Sequence, residues 1–319
     1  MKSKKDARVL LLIGTKERPS ELGFLLQSLI TQTYQDFDVM ILDDASGGPI
    51  ESYYFIRLLM DKLRQDGHMI IYGRNGQSYG ISRMRQQMVD IGLKETQCEL
   101  FCRVDDDSIL DPEYLQRLVE TIDAGFDIAS GVVPPFAQPV LARSHLLVQP
   151  LINAVMLDNE GNFIFNGDDC GYLYTNNVVL PAHHFRSCAM IKRKVHEKVS
   201  YPGHLTFSGF REEELFSFDA IVNGFTIGVN TGAIAWHLNT PSGGDRREGK
   251  EQMNQINEEC LLRHTRQLYK KHGDFIRAYN NKLGISNEEY EKEIEENKQK
   301  QTNLIYPPLI EAVKKESAQ

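Results

Sequence analysis

Three acids stand in a row at Asp105, Asp106 and Asp107, behind the apolar run FCRV and shortly before Asp111-Pro112. Adjacent carboxylates at the end of a buried strand repel one another unless a cation or hydrogen-bond donors offset them. A second acidic pair, Asp43-Asp44, closes another apolar run, FDVMIL. Hard divalent cations take carboxylate oxygens, and magnesium commonly shares its shell with substrate phosphates. The two acidic ends together suggest a metal site that receives a phosphate compound, whereas the triplet alone reads more readily as a solvated loop. A third acidic run, Glu212 to Glu214, opens a helical pattern, where acids also favour the helix dipole. His237 follows the strand-like AIAW, a place where a lone histidine is more often structural. Arg246 and Arg247 lie in the glycine-bearing loop PSGGDRREG, which suits an exposed turn or a mobile lid.

The elements that must position these groups alternate. Strand-like runs are RVLLLIG (8–14), FDVMILDD (37–44), MIIY (69–72), ELFCRVDD (99–106) and FDIASGVV (126–133). They are almost continuously apolar, as strands covered on both faces are. Between them Leu22, Leu25, Leu26, Leu29 and Ile30 follow the spacing of one helix face, as do Ile81, Met84, Met88 and Ile91, and Leu115, Leu118 and Ile122. Pro49 and Pro112 suit first-turn positions, Asp111 an N-cap, and Gly67 a helix end. The recurrence matches βαβ units, so a mostly parallel, Rossmann-like sheet is expected, with ligands at the carboxyl ends of its strands. Both acidic clusters fall at such ends.

Further on, MLDNEGNFIFNGDD reads as a hairpin turning at Asn-Glu-Gly, FRSCAMIKRKV as a strand and short helix, and TIGVNTGAIAWHL as a strand pair. FREEELFSFDAIVNGF reads as a helix with Leu215, Phe218 and Ile221 or Val222 inward. Residues from Glu251 to about Leu283 are helical in pattern, and the tail from Asn287 is mostly charge. His183, His184, Asp168 and Asp169 fit a surface loop as well as an acceptor site.

The chain of 319 residues has 41% apolar and 25% charged residues, as soluble globular proteins do. A net charge of −8 argues against a nucleic-acid surface. No apolar run approaches the roughly 18 residues of a transmembrane span, and VLLLI near the start is too short for a signal peptide. Five cysteines without a CxxC pair read as free thiols, so a cytoplasmic location is expected.

The order of these motifs resembles family 2 glycosyltransferases of the GT-A fold over about residues 8 to 240. LLIGTKERPSELGFLLQSLITQTYQDFDVMILDDAS is similar to the family's opening strand, turn and run into its nucleotide-binding aspartate, and VDDDSILDPEYL to its Asp-X-Asp motif. The resemblance implies that Thr15 and Asp44 hold base and ribose, with Asp44 accepting from a base N–H. Arg18 and Arg85 would line that pocket, although Arg85 would equally suit a solvated helix face. Asp105 and Asp106 would contact ribose or metal-bound water, and Asp107 would bind the metal directly. His237 would complete the metal site, for which carboxylate plus imidazole suits manganese, with magnesium the other choice. Glu213 would be the general base, Glu212 and Glu214 staying open as alternatives, and Arg246-Arg247 would close on the diphosphate.

The function implied is a metal-dependent, non-processive and inverting transfer from a nucleotide-diphosphate sugar to a hydroxyl. A UDP-sugar is the favoured donor, and the acceptor a saccharide, a lipid-linked or another hydroxyl compound. The rival readings are an inactive nucleotide- or glycan-binding relic and a sugar-phosphate nucleotidylyltransferase, whose Gly-rich loop GTKERP lacks. The expected layout is a GT-A domain over 1–245, divided into a nucleotide-sugar-binding half (1–133) and an acceptor half (134–245), then a helical C-terminal extension (246–319). That extension would suit a homodimer contact or a membrane-bound acceptor, and its spacing does not choose.

Overall fold

The computed structural model describes residues 7–137, 154–157, 163–166, 178–203, 205, 207–209, 212–241, 243–244, 278–284, 286 and 288. Its first half repeats strand and helix: β1 (Val9–Thr15), α1 (Pro19–Ile30), β2 (Phe37–Asp43), α2 (Tyr54–Gln65), β3 (Ile70–Arg74), α3 (Ile81–Glu95), β4 (Leu100–Asp105), β5 (Ser108–Leu110), α4 (Tyr114–Asp123) and β6 (Ile128–Val132). The second half contributes β7 (Ala154–Leu157), β8 (Phe163–Asn166), β9 (Val179–Pro181), β10 (Ala189–Lys192), α5 (Arg193–His196), α6 (Glu212–Val222) and β11 (Ile227–His237). The main sheet runs β3-β2-β1-β4-β10-β6-β11-β5, with β9 beside β11. β7 and β8 form a separate antiparallel hairpin with Leu157 opposite Phe163, and its expected turn lies outside the described residues.

The pairs β1–β2, β1–β4, β2–β3 and β6–β11 are parallel, while β10, β5 and β9 pair antiparallel. The continuous apolar runs have the expected cause. β1, β2, β4 and β6 are buried along nearly their whole length, whereas β3, at the sheet edge, is half-exposed. One face packs under α1, α2 and α4 through residues such as Leu22, Leu26, Ile56 and Leu118, and the other under α3 and α6 through Met84, Met88 and Phe216. Parallel register sets the carboxyl ends side by side. Thr15 lies opposite Asp43, and Gly14 opposite Asp105.

Several sequence expectations are corrected. Residues 227–237 form one strand rather than a pair. Its first part pairs with β6, its register shifts between Val229 and Ile234, and its end pairs with β5, His237 lying opposite Ser108. At that bend a Cβ on Gly131 would strike the Ala233 carbonyl and the Tyr114 ring, so a glycine is needed for the close approach. β5 went unseen in the sequence because three residues show no periodicity. Asp111 is not an N-cap: α4 begins at Tyr114 behind Glu113, and the Asp111 carboxylate accepts the Trp236 indole N–H at 2.8 Å, tying the β5–α4 connection to β11. His183 and His184 are buried rather than on a surface loop. His183 Nε2 lies 2.8 Å from Asn280 Oδ1, so the helical stretch 278–282 docks against the residues that follow β9. Asp168, Asp169 and the tail from Glu289 lie outside the described residues.

Candidate active site

Four non-glycine residues among those described have left-handed backbone: Glu17, Ala45, Ser187 and Asn239. Each costs roughly 1 kcal/mol or more, and such positions cluster at functional sites. Here they flank one region. Glu17 follows β1, Ala45 follows Asp44, Ser187 precedes β10 beside β4, and Asn239 follows His237.

A cavity of about 550 Å³ opens there. Its lining includes Gly14, Arg18, Met84, Arg85, the three aspartates Asp105 to Asp107, His237 and the segment Asn239–Pro241. Its size falls within the usual range of small-molecule sites. Asp105, Asp107 and His237 each offer a ligand atom, and these atoms lie within 4.8 Å of one another. The strand pairing explains the convergence. Asp105 ends β4, Asp107 sits in the turn to β5, and His237 pairs across from Ser108. His237 Nε2 lies 3.1 Å from Asp107 Oδ1. Burial works against protonating His237, but the hydrogen bond and charge of Asp107 outweigh it and raise its pKa. Asp105 has the same contest in reverse. Burial would raise its pKa, yet Arg85, Arg103 and His237 hold the carboxyl down at about 2.

Asp106 is set apart from this triad. Arg18 Nη1 lies 3.0 Å from Asp106 Oδ1 and 3.0 Å from Asp107 Oδ2, bridging the two. Burial pushes the Asp106 carboxyl up to about 7 against the pull of Arg18, and the neighbouring Asp107 charge adds to the rise. Gly243 and Gly244, beyond β11, lie against Arg18. The Gly244 N–H bonds the Lys16 carbonyl at 2.9 Å, and a Cβ on Gly243, whose φ is +74°, would collide with the Arg18 side chain. Arg246 and Arg247, the expected lid arginines, lie outside the described residues.

Arg85 is not on a solvated helix face; it is 5% exposed and turned inward. It also does not share a pocket with Thr15 and Asp44, neither of which lines the cavity. Its guanidinium instead bonds Asp105 and pairs with Glu212. Arg103, in the middle of β4, is 2% exposed and completes a cluster that the sequence reading missed. Its Nη1 lies 2.8 Å from Glu212 Oε1 and its Nη2 3.0 Å from Glu213 Oε1. The available signal was a charged residue interrupting the apolar run that ends in the acid triplet.

The three glutamates opening α6 are now distinguishable. Glu212 and Glu214 are buried, whereas the Glu213 side chain keeps 21% exposure. Glu213 Oε1 meets Arg103 at 3.0 Å and Arg85 at 3.5 Å, while no hydrogen bond to its Oε2 forms among the described residues. With His237 neutral and all five carboxyls ionised, Arg18, Arg85 and Arg103 against Asp105, Asp106, Asp107, Glu212 and Glu213 leave an excess of two negative charges, one fewer where Asp106 holds its proton. A divalent cation at the triad matches that excess, and its carboxylate and imidazole donors suit manganese or magnesium.

The second acidic strand end is built differently. Asp43 accepts from the Ser46 and Ile50 backbone N–H groups at 2.9 and 3.2 Å, with Tyr72 and Arg74 beside it. Asp44 is 2% exposed, and its oxygens accept from Asn75 Nδ2, Ser78 Oγ and the N–H groups of Tyr79 and Gly80. The expected acceptance from a base N–H therefore meets a carboxylate already taken by the 75–80 loop. Thr15 is buried, with its carbonyl receiving the Asp44 N–H at 2.8 Å.

The sequence profile of glycosyl transferase family 2 matches residues 11–200. A comparison with curated protein sequences returns no match. Among solved structures, GalNAc-T7 with UDP, GalNAc and Mn2+ superposes with a TM-score of 0.54 at 13% identity, covering 72% of this chain and 43% of that one. TarS 1–349 of S. aureus superposes with a TM-score of 0.50 at 16% identity, covering 88% of this chain and 76% of that one. A longer TarS chain gives 0.50 at 16% identity and covers 81% and 43%. The chain thus spans less than half the length of the GalNAc-T7 chain. At these identities the likeness carries the fold, an α/β architecture with the mostly parallel, curled sheet of GT-A proteins.

Proposed function

The chain belongs to glycosyl transferase family 2, and from that premise we propose that it moves a sugar from a nucleotide-diphosphate sugar to an acceptor hydroxyl with the help of a divalent cation. The observation that carries this reading is the triad Asp105, Asp107 and His237 on the rim of a cavity large enough for such a donor. These three side chains would hold manganese or magnesium, and UDP is the favoured nucleotide, as bound with Mn2+ in GalNAc-T7. The chemistry a cation supplies in such a site is neutralisation of the charge developing on the departing diphosphate.

The chain's own residues do the rest. Arg18 keeps Asp106 and Asp107 in place from the side opposite His237. Asn239, Thr240 and Pro241 line the cavity, Gly243 and Gly244 lie against Arg18 and Lys16, and Arg246-Arg247 would add positive charge on closure. Glu213 is the general base, because it alone of the three α6 glutamates is accessible, the other two being buried. It would take the acceptor hydroxyl's proton as the oxygen attacks C1, giving a single displacement with inversion. We read the reaction as single transfers; among the described residues no helix is long and apolar enough to cross a membrane.

The reading is tested by thermal stabilisation with UDP, GDP, dTDP and CDP, each with and without Mn2+, on wild type and Asp107→Ala. Stabilisation by one nucleotide that needs both metal and Asp107 supports it; no shift with any nucleotide returns the triplet to an acidic strand end. Glu213→Gln should then abolish transfer while nucleotide binding persists, and normal transfer by that variant would assign the base elsewhere.

A further inference from the structure

Arg103 occupies a costly position. It points from the centre of β4 into a fully buried site, between the rings of Phe185 and Tyr201 at 5.3 and 5.5 Å. Across from it the first turn of α6 supplies Glu212 and Glu213, so a strand residue and a helix terminus are joined through charge. The pairing is asymmetric. Glu212 is sunk between Arg85 and Arg103 and is 1% exposed, so it cannot receive a proton from an acceptor. Among the described residues Glu213 is hydrogen-bonded through one oxygen: Oε1 lies 3.0 Å from Arg103 and 3.5 Å from Arg85, and no hydrogen bond to Oε2 forms there. The same network runs on through Arg85 to Asp105, so the metal triad and the glutamate share one framework of alternating charges.

We propose that Arg103 is a positioning residue for the transfer step, acting through Glu213. This rests on Glu213 being the base. Its grip on Oε1 presents Oε2 to the acceptor. In the step served, the acceptor O–H proton passes to Glu213 Oε2, the acceptor oxygen bonds C1, and the electron pair of the C1–O bond leaves with the nucleoside diphosphate. A base misplaced by about 1 Å loses on the order of a hundredfold in rate without altering donor binding. Arg85 bonds Asp105 directly as well as pairing with the glutamates, so its loss would disturb donor binding and rate together; Arg103 pairs directly with the glutamates and acts on Asp105 only through charge, so its loss falls mainly on the rate.

The experiment uses the full chain with Mn2+ and UDP-glucose, UDP-galactose, UDP-GlcNAc and UDP-GalNAc, water serving as acceptor and UDP release as readout. UDP·Mn2+ affinity is measured alongside. Arg103→Met is compared with wild type, Glu213→Gln and the double variant. Since Arg103→Met strips a partner from buried Glu212, the compensated variant Arg103→Met/Glu212→Gln removes that charge too. The expected result is a fall of about a hundredfold in UDP release for either Arg103 variant, UDP·Mn2+ affinity within about threefold of wild type, and no further fall when Arg103→Met is added to Glu213→Gln. Rates near wild type in a folded Arg103 variant, parallel loss of rate and UDP affinity, or additive loss in the double variant would each overturn the proposal and leave the glycosyltransferase reading standing. No UDP release by wild type from any donor would remove that reading, and this inference with it.

Discussion

At the carboxyl end of β2, Asp43 and Asp44 are consumed by the fold; at the carboxyl end of β4, three aspartates keep capacity for something else. The first pair faces backbone N–H groups, side-chain amide and hydroxyl donors, and one arginine, from the turn after β2, from β3 and from the 75–80 loop. The second cluster shares its three arginines with Glu212 and Glu213, so five carboxylates face three guanidinium groups and a histidine. Residue type and strand position are the same in both. What differs is whether neutral donors within the fold satisfy the carboxylates, as in a structural acid, or whether a net charge remains for a cation to offset.

The contrast is sharpest where function is lost without stability. Asp107→Ala is expected to reduce transfer by at least about a hundredfold and to remove Mn2+-dependent stabilisation by UDP. Its melting temperature without metal should stay near wild type, since the substitution also relieves repulsion from Asp106. A calorimetric scan beside a rate assay checks both. The reverse is expected at β2. Asp43→Ala or Asp44→Ala leaves several buried donors without an acceptor, costing about 2–4 kcal/mol in urea unfolding, as each hydrogen bond to a charged group contributes about 1.5–3 kcal/mol. An Asp44→Ala protein as stable as wild type would mean the 75–80 loop does not depend on that carboxylate and would restore its expected role toward a base.

The smallest effect concerns sign. Asp106 has its folded pKa raised to about 7 from an ordinary carboxylate value of 3.8. The folded state therefore binds the proton more tightly than the unfolded chain, and the stability this contributes is present below pH 3.8 and lost as pH rises through about 7. Metal-free Asp106→Asn should be more stable than wild type at pH 8, by about 1 kcal/mol or more, with the difference shrinking toward pH 4. Asp43→Asn should be destabilised across the same range. If both variants shift in the same direction, the two strand ends are not built on different principles.

Most of the parallel half was legible because buried parallel strands must be continuously apolar and their covering helices must be apolar on one face. β1 to β4, β6, α1, α3 and α4 all carried those patterns, and only the start of α4 slid, since Asp111 is held by Trp236 instead of capping. β5 and the single bent β11 were not legible. A three-residue strand has no period, and a register shift depends on which neighbours the strand meets along its length.

The amino-acid order by itself determined that acids would stand at the carboxyl ends of two buried strands, that a histidine would follow a later strand, and that three glutamates would open a helix. Those facts are local, fixed by periodicity and by where each apolar run stops. Only the tertiary structure decided which acids were left for chemistry. The 75–80 loop closes on Asp44, Asp105 joins Asp107 and His237 while Asp106 turns to Arg18, and Arg103 grips one oxygen of Glu213. The reason is electrostatic. A carboxylate's role depends on the donors and charges within a few ångströms, and for Asp44, Glu213 and Asp107 the deciding ones come from residues 31 to 130 positions away in the chain, brought near only by folding.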